Sequence, residues 1–283
     1  MAGIIWLASY QKSGNTWVRA FLANLLRNPE RPVPINDLPQ FALGDGFLIH
    51  YETLSGRPAA AITAAEFHAL RPRLHAWFAQ SSPDNPFVKT HNACVSVEGQ
   101  PLITPTATAG AIYVLRNPLD VAVSFSHHHQ IGLQEAVDRI CDDRNVIPAS
   151  KNQREQYLLS WSSHVNSWVK APGLKCHVLR YEDMLAAPRK AFGGLVKFLG
   201  LPDNPARLKK AIRFSSFKEL SDQEKKARFV ESRPDGKAAF FRQGKVGAWR
   251  DALSATQVDK IVETQGEVMQ AFGYLDRKGH PKI

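Results

Sequence analysis

A chain of 283 residues that is 44% hydrophobic and 22% charged can bury a sizeable core, which excludes an intrinsically disordered or fibrous protein. Its three cysteines, Cys94, Cys141 and Cys176, are odd in number and widely spaced, with no CxxC pair, so neither a disulfide framework nor a zinc site is expected. The apolar start carries no basic n-region and no cleavage-like site, and no later apolar run reaches spanning length; the expectation is a cytoplasmic protein with no stable membrane insertion, one domain over residues 1–283.

In chain order, the first stretch is the most informative. Ile4 to Ala8 is a continuous apolar run that suits a strand buried on both faces of a parallel sheet. A polar turn follows, Ser9 to Asn15. Then Val18, Phe21, Leu22, Leu25 and Leu26 fall on one stripe of a helix beginning near Asn15 or Thr16. A helix N-terminus offers unpaired N–H groups and the positive end of a dipole, so this turn has the outline of an anion site. Lys12 adds a charge, and Ser13 and Thr16 add hydroxyl donors. The nucleotide-triphosphate loop GxxxxGK[ST] does not fit, because the lysine precedes Gly14 and no glycine stands at the loop's first position.

Arg27 to Tyr51 is rich in proline and glycine and reads as a long irregular connection. Thr63 to Phe78 reads as a helix with Thr63 and Glu66 in capping-box positions and Pro72 expected to kink or split it. Pro86 to Lys89 is a short strand running into Thr90-His91-Asn92. Ala111 to Leu115 is a third strand ending in Arg116-Asn117-Pro118, and Pro118 opens a helix. Leu158, Trp161, Val165, Trp168 and Val169 form a helical stripe. Cys176 to Leu179 is a fourth strand, followed by Arg180 and Tyr181; helices are expected over Arg189 to Leu199 and from Val258 to Phe272. Strands alternating with helices imply an α/β fold, three layers with a mainly parallel central sheet flanked by helices. Ligands of such sheets bind at the carboxyl ends of the strands, where this chain delivers Lys12, the Lys89-Thr90-His91 segment, Arg116 and Arg180-Tyr181. The net charge of +10 is concentrated between Arg207 and Arg250, where 13 Lys or Arg face five acids. Such a segment could follow a nucleic-acid backbone, approach an anionic membrane, or close over a polyanionic small molecule.

These residues, taken together, resemble the sulfotransferases that use 3′-phosphoadenosine 5′-phosphosulfate (PAPS), most closely the cytosolic type and its bacterial relatives. The family's YPKSGTxW loop appears as Tyr10 to Trp17, and its RNPxDxxVSxxHH motif as Arg116 to His128. Shorter matches follow in the family's order: Lys89-Thr90-His91, Tyr181-Glu182-Asp183-Met184, Ser215-Ser216-Phe217, and Phe241 to Trp249 against RKGxxGDW. The resemblance implies a P-loop-like nucleotide-binding fold and a donor site made of Lys12, Ser13, Gly14, Asn15, Thr16, Trp17, Arg116, Ser124, Tyr181, Ser215, Phe217, Arg242, Gln243 and Gly244. It implies that Lys12 acts at the leaving 5′-phosphate, that Arg116 and Ser124 bind the 3′-phosphate with Arg242 and Gly244, that Trp17 stacks on adenine, that His91 is the general base, and that Lys89 reaches the sulfuryl oxygens. Catalytic residues would thus be His91, Lys12 and Lys89, with PAPS as co-substrate, PAP as product and no metal. The acceptor would be a small molecule, lipid or glycan, not a nucleic acid, and the resemblance leaves a homodimer open, since the Thr and Glu of the relatives' dimerisation motif are not at their positions beyond Lys245. Gln11, Asn15, Gln243 and Ala248 depart from the family pattern. Phe41, Phe47, Tyr51, Trp77 and Phe78 suit an apolar acceptor pocket. The residues alone also admit two other classes: a small-molecule or nucleoside kinase, which lacks its glycine-spaced loop and magnesium carboxylates, and a basic nucleic-acid-binding module, which would lose affinity steeply with salt.

Overall fold

A computed structural model describes residues 2–232, 239–242 and 244–282. In chain order its strands are β1 (Ile4–Ser9), β2 (Leu43–Gly44), β3 (Phe87–Thr90), β4 (Ser96–Val97), β5 (Gln100–Pro101), β6 (Thr108–Leu115), β7 (Val146–Ile147), β8 (Gln156–Tyr157) and β9 (Cys176–Arg180). Its α-helices are α1 (Asn15–Arg27), α2 (Leu38–Phe41), α3 (Leu48–Ser55), α4 (Ala64–Gln80), α5 (Pro118–His129), α6 (Leu133–Ile140), α7 (Trp161–Val169), α8 (Tyr181–Ala186), α9 (Pro188–Phe198), α10 (Pro205–Phe214), α11 (Phe217–Lys226) and α12 (Ala255–Ala271). The fold is α/β, a central parallel sheet with helices, in strand order β2-β3-β1-β6-β9. None of the described helices is long and apolar enough to cross a membrane.

By its internal contacts the chain divides into two compact units, residues 1–11, 42–113 and 138–178 in the first and 12–41, 114–137 and 179–283 in the second. In the first unit β1 and β3 run parallel, Ile5 beside Phe87 and Ala8 beside Thr90, and β2 pairs parallel with the other side of β3. Ile4, Trp6, Leu7 and Ala8 are fully buried, as a strand covered on both faces requires. The α4 helix begins with a complete Thr63–Glu66 capping box and, contrary to the expected split, continues through Pro72 to Gln80. Proline removes one helical hydrogen bond, and burial of Phe67, Leu74 and Phe78 offsets that loss. The α7 stripe starts later than its apolar spacing suggests: Leu158 lies outside the helix, Leu159 has φ +58°, and the Ser160 hydroxyl caps Trp161 by accepting the Ser163 N–H.

The stretch from Arg27 to Tyr51 is not wholly irregular. It contains α2, the two-residue edge strand β2 and the start of α3, elements too short to leave a periodicity in the sequence. In the second unit, α1 begins at Asn15 as its apolar stripe predicts. The basic segment holds α10 and α11, which the charge count concealed; Ala211, Phe214 and Leu220 are their buried members. Phe229, fully buried, joins Ala20, Ala23, Val33, Ile35, Leu38 and Leu220 in one apolar cluster.

Candidate active site

The turn from β1 into α1 has an uncommon backbone. Lys12 is a non-glycine residue at φ +68°, and Gly14 follows at φ +106°. A β-carbon on Gly14 would stand 2.8 Å from Tyr181 Cδ2, so only glycine lets the turn rest on that ring. Gly14 is the N-cap of α1 and supplies no side-chain cap. The Ser13 hydroxyl is buried and finds no partner among the described residues. A thirteen-residue helix thus starts with uncapped amides beside a buried, unsatisfied hydroxyl, the arrangement an oxyanion would complete.

Arg116 draws the second unit's motifs together. Its Nη1 donates to the Lys12 carbonyl at 3.1 Å and its Nη2 to the Lys245 carbonyl at 3.2 Å, while the guanidinium lies 4.3 Å above the Tyr181 ring. One side chain therefore spans the β1–α1 turn, the end of β6, the start of α8 and the late loop. Asn117 caps α5 by accepting the Leu119 N–H, and its own N–H donates to Glu182, whose second oxygen accepts from Tyr274. Burial pushes the Glu182 carboxyl up, and the Asn117 amide acts in the opposite direction. Asp120, one turn on, accepts the N–H groups of Gly247 at 2.8 Å and Trp249 at 3.1 Å. The turn around Ala248 is held through its backbone by Asp120.

On α5, Ser124, His127 and His128 share a face at i, i+3 and i+4. With Lys12, Ser232, Ala239, Phe240 and Arg242 they line an open pocket. The Lys12 ammonium lies 3.3 Å from His128 Nδ1 and 4.5 Å from the centre of the Phe240 ring. An ammonium only donates, so His128 Nδ1 accepts and its ring is neutral in this contact. Arg242 Nη1 likewise donates to His127 Nε2 at 2.8 Å, and burial followed by the Arg242 charge lowers the His127 pKa. His127 and His128 are thus partners of the pocket's cations. Sequence reading placed them in a motif without assigning them a role; their helical offset from Ser124 is the signal that finds them.

The remaining donor-site candidates are placed as follows. Trp17 packs edge-on against Tyr181 and Phe192, centroids 5.6 and 5.9 Å away, and its Nε1 is buried with no partner among the described residues. Asn15 and Thr16 are buried in the first turn of α1, and Thr16 Oγ1 accepts from Arg19. Ser215, the residue just after α10, is fully buried and donates its hydroxyl to the Ala211 carbonyl of that helix, while Ser216 caps α11. Gly244, at φ +59°, lies against Phe217, whose ring a β-carbon would meet at 2.4 Å. Gln243 lies outside the described residues. Among the described residues no group of three or more His, Cys, Asp or Glu is gathered to hold a metal ion.

The first unit carries Lys89 and His91. Both are half-buried and share one side of the extended segment, while Val88 and Thr90 between and beside them are buried on the other. His91 Nδ1 lies 2.9 Å from the Ser9 carbonyl and 3.2 Å from its hydroxyl. A carbonyl only accepts, so Nδ1 bears the proton and Nε2 carries the basic lone pair of the neutral ring. Gln11, where the family has proline, donates its amide to Gln156 at 2.8 Å. Of the aromatic residues considered for an acceptor pocket, Tyr51 and Phe78 are fully buried and Trp77 is exposed. Phe41 departs from that expectation: it belongs to the second unit, packed on the cluster around Phe229, because α2 turns it toward that core.

Comparison with known proteins gives the same assignment over most of the chain. The sequence profile of the sulfotransferase domain matches residues 3–273. Cytosolic sulfotransferase 10 of Arabidopsis thaliana is 26% identical over 91% of this chain and 75% of its own length. Sulfotransferase 1A1 of the dog is 25% identical over 94% of this chain and 83% of its own. In structure the chain is similar to mouse sulfotransferase SULT7A1 complexed with PAP (TM-score 0.58, 20% identity, 95% and 84% of the two chains). It is also similar to a retinol dehydratase in complex with retinol and PAP (TM-score 0.63, 20% identity, 94% and 81%). With the domain profile covering both units, the chain belongs to the sulfotransferase family.

Proposed function

We propose that this protein is a PAPS-dependent sulfotransferase that moves the sulfuryl group to a hydroxyl or amine of a small-molecule, lipid or glycan acceptor and releases PAP, in the cytoplasm and as one domain over residues 1–283. The observation that carries the proposal is the pocket in which Lys12, Ser124 and Arg242, from three separate motifs, come together beside the Arg116 strut. Solved relatives in complex with PAP support it. The uncapped start of α1 and the buried Ser13 hydroxyl fit a 5′-phosphate, and Ser124 and Arg242 fit a 3′-phosphate.

PAPS supplies a sulfuryl group on a phosphate leaving group. Lys12, with the loop amides and the Asn15 and Thr16 side chains, binds and neutralises that phosphate as the bridging oxygen takes the electron pair of the broken S–O bond. His91 Nε2 accepts the acceptor's proton as the new O–S or N–S bond forms. Lys89, on the same side of its strand, orients the sulfuryl oxygens. The acceptor is named only by class, since the neighbouring rings of Phe47, His50 and Trp77, which we assign to its pocket, carry no code for one substrate.

The direct test is radiolabelled PAPS with phenols, sterols, glycolipids and sugars, read by product mass, with PAP scored by thermal shift. PAP at 100 times its Kd is expected to stabilise the protein by about 2.7 kcal/mol. Absence of any PAP-dependent rise in Tm would sink the proposal. ATP with magnesium giving the larger rise would favour a kinase, and DNA binding that PAP does not compete away would favour a nucleic-acid module.

A further expectation concerns the late loop. Asp120→Ala removes both acceptors that hold Gly247 and Trp249. PAP affinity should fall about tenfold, the equivalent of roughly 1.4 kcal/mol, because the loop must be ordered at the expense of binding. Isothermal titration of PAP against the variant checks it; unchanged affinity would show that Asp120 does not organise the loop for binding.

A further inference from the structure

The α7 helix holds the main chain of the His91 segment through three side chains on one face. His164 Nε2 lies 3.1 Å from the His91 carbonyl, Trp168 Nε1 donates to the Asn92 carbonyl at 3.0 Å, and the Cys94 N–H donates to Ser167 Oγ at 2.9 Å. Residues 164, 167 and 168 stand at i, i+3 and i+4, so one helical stripe meets consecutive polar groups of an otherwise irregular turn. Asn92 is fixed from its side chain too, accepting the Tyr157 N–H and donating to Asp45. Apolar spacing places Trp168 in the core, where it is; the spacing gives no hint of its hydrogen bond or of His164.

His164 is the informative member. It is fully buried, and burial pushes its pKa down to about 4, so the ring is neutral in ordinary conditions. The His91 carbonyl can only accept, hence His164 carries its proton on Nε2 and presents a lone pair on Nδ1. The buried Tyr113 hydroxyl, 2.8 Å away, donates to that lone pair. A directional chain results: Tyr113 O–H to His164 Nδ1, then His164 Nε2–H to the carbonyl of His91. The opposite end of His91, its ring Nδ1, meets the Ser9 carbonyl. Main chain and ring of His91 are therefore each held by a bond whose direction is set.

We propose that His164, oriented by Tyr113, is a positioning residue for His91, fixing the backbone from which the imidazole reaches both Ser9 and the acceptor; this rests on the reading of His91 as the general base. The test compares His164→Asn, His164→Gln and Tyr113→Phe. A glutamine amide nitrogen reaches the place of Nε2, whereas that of asparagine falls short. His164→Asn is expected to lower kcat about 10²-fold, the scale of a misplaced reacting group, with PAP affinity unchanged. His164→Gln should recover most of that loss. Tyr113→Phe keeps the ring packing and removes the donor, so it should lower kcat about tenfold with the same split, as loss of one hydrogen bond of roughly 1.4 kcal/mol would. Ring ¹⁵N shifts of His91 supply a signal independent of turnover: Nδ1–H alone in the parent, a mixture with Nε2–H in His164→Asn. Full kcat with an unchanged His91 tautomer in His164→Asn and Tyr113→Phe would overturn the proposal. So would equal losses in the asparagine and glutamine variants accompanied by weakened PAP binding, since a purely structural role predicts that pattern. If His91 is not the base, His91→Ala keeps its turnover while the tautomer change in His164→Asn persists, which separates the two failures.

Discussion

The His91→Ala variant should lose about 10²–10⁴-fold in sulfuryl transfer, the range a positioned general base contributes, while PAP still raises Tm as in the parent protein. The dissociation of the two effects follows from where the groups lie. Lys12, Arg116, Ser124 and Arg242 belong to the second unit, where Lys12 meets His128 and Phe240, Arg116 meets the Lys12 and Lys245 carbonyls and the Tyr181 ring, and Arg242 meets His127. His91 bonds to Ser9, a fully buried residue of β1 in the first unit. Removing the imidazole takes one partner from the Ser9 carbonyl and hydroxyl, and a water can take the vacated place, so the cost in stability should be modest. Full turnover in the variant would remove His91 from the role of base.

Much of the candidate donor site was legible in the sequence because its groups hang on regular elements. The apolar run of β1 and the stripe of α1 bracket Lys12 to Trp17 so closely that the turn between them could be placed to within a residue. Pro118 marked the start of α5, which set Ser124 on a known face. What escaped the sequence is the set of contacts that hold those groups in place. Nothing in local periodicity tells that Arg116 spends its two terminal nitrogens on the carbonyls of Lys12 and Lys245, which lie 104 and 129 residues away in sequence. Nor does it tell that Asp120 fastens the backbone around Ala248, since main-chain acceptors and donors are the same at every residue. Among the elements missed, β2, α2 and α3 are two to eight residues long, too short for a 2.0 or 3.6 period to declare itself clearly. In the basic segment the reverse holds: α10 and α11 have so few apolar members that charge dominates their composition, and the burial of Ala211, Phe214 and Leu220 appears only in three dimensions.

The largest expected effect on stability lies at Arg19 and Glu231. Arg19 stands on α1 with its side chain wholly buried, and the Glu231 side chain is 13% exposed. The pair is bidentate, Nη1 to Oε1 at 2.7 Å and Nη2 to Oε2 at 2.6 Å, and Nη2 also donates to Thr16 Oγ1 at 3.0 Å. Two consequences follow. The Thr16 oxygen accepts from Arg19, so its own proton is the one it can donate. Glu231 also follows Phe229, which is buried, and Val230, whose N–H donates to Asn36, so the chain is fastened just before Ser232. Glu231→Ala would leave a guanidinium buried without its counter-charge, which costs about 3–5 kcal/mol. At roughly 2–4 °C per kcal/mol for a protein of this size, Tm should fall on the order of 10 °C. The double change Arg19→Met with Glu231→Leu should recover most of that loss, because an apolar pair of similar volume avoids the desolvation penalty altogether. PAP binding separates the two contributions: the double variant regains stability yet lacks the bond that orients Thr16, so its affinity for PAP should stay below that of the parent by about tenfold, or roughly 1.4 kcal/mol. Thermal melts of the parent, both single variants and the double variant, each with and without PAP, complete the cycle. A loss below about 1 kcal/mol in Glu231→Ala would mean that the pair is solvated like a surface salt bridge and that Arg19 does not tie the phosphate loop to the basic segment.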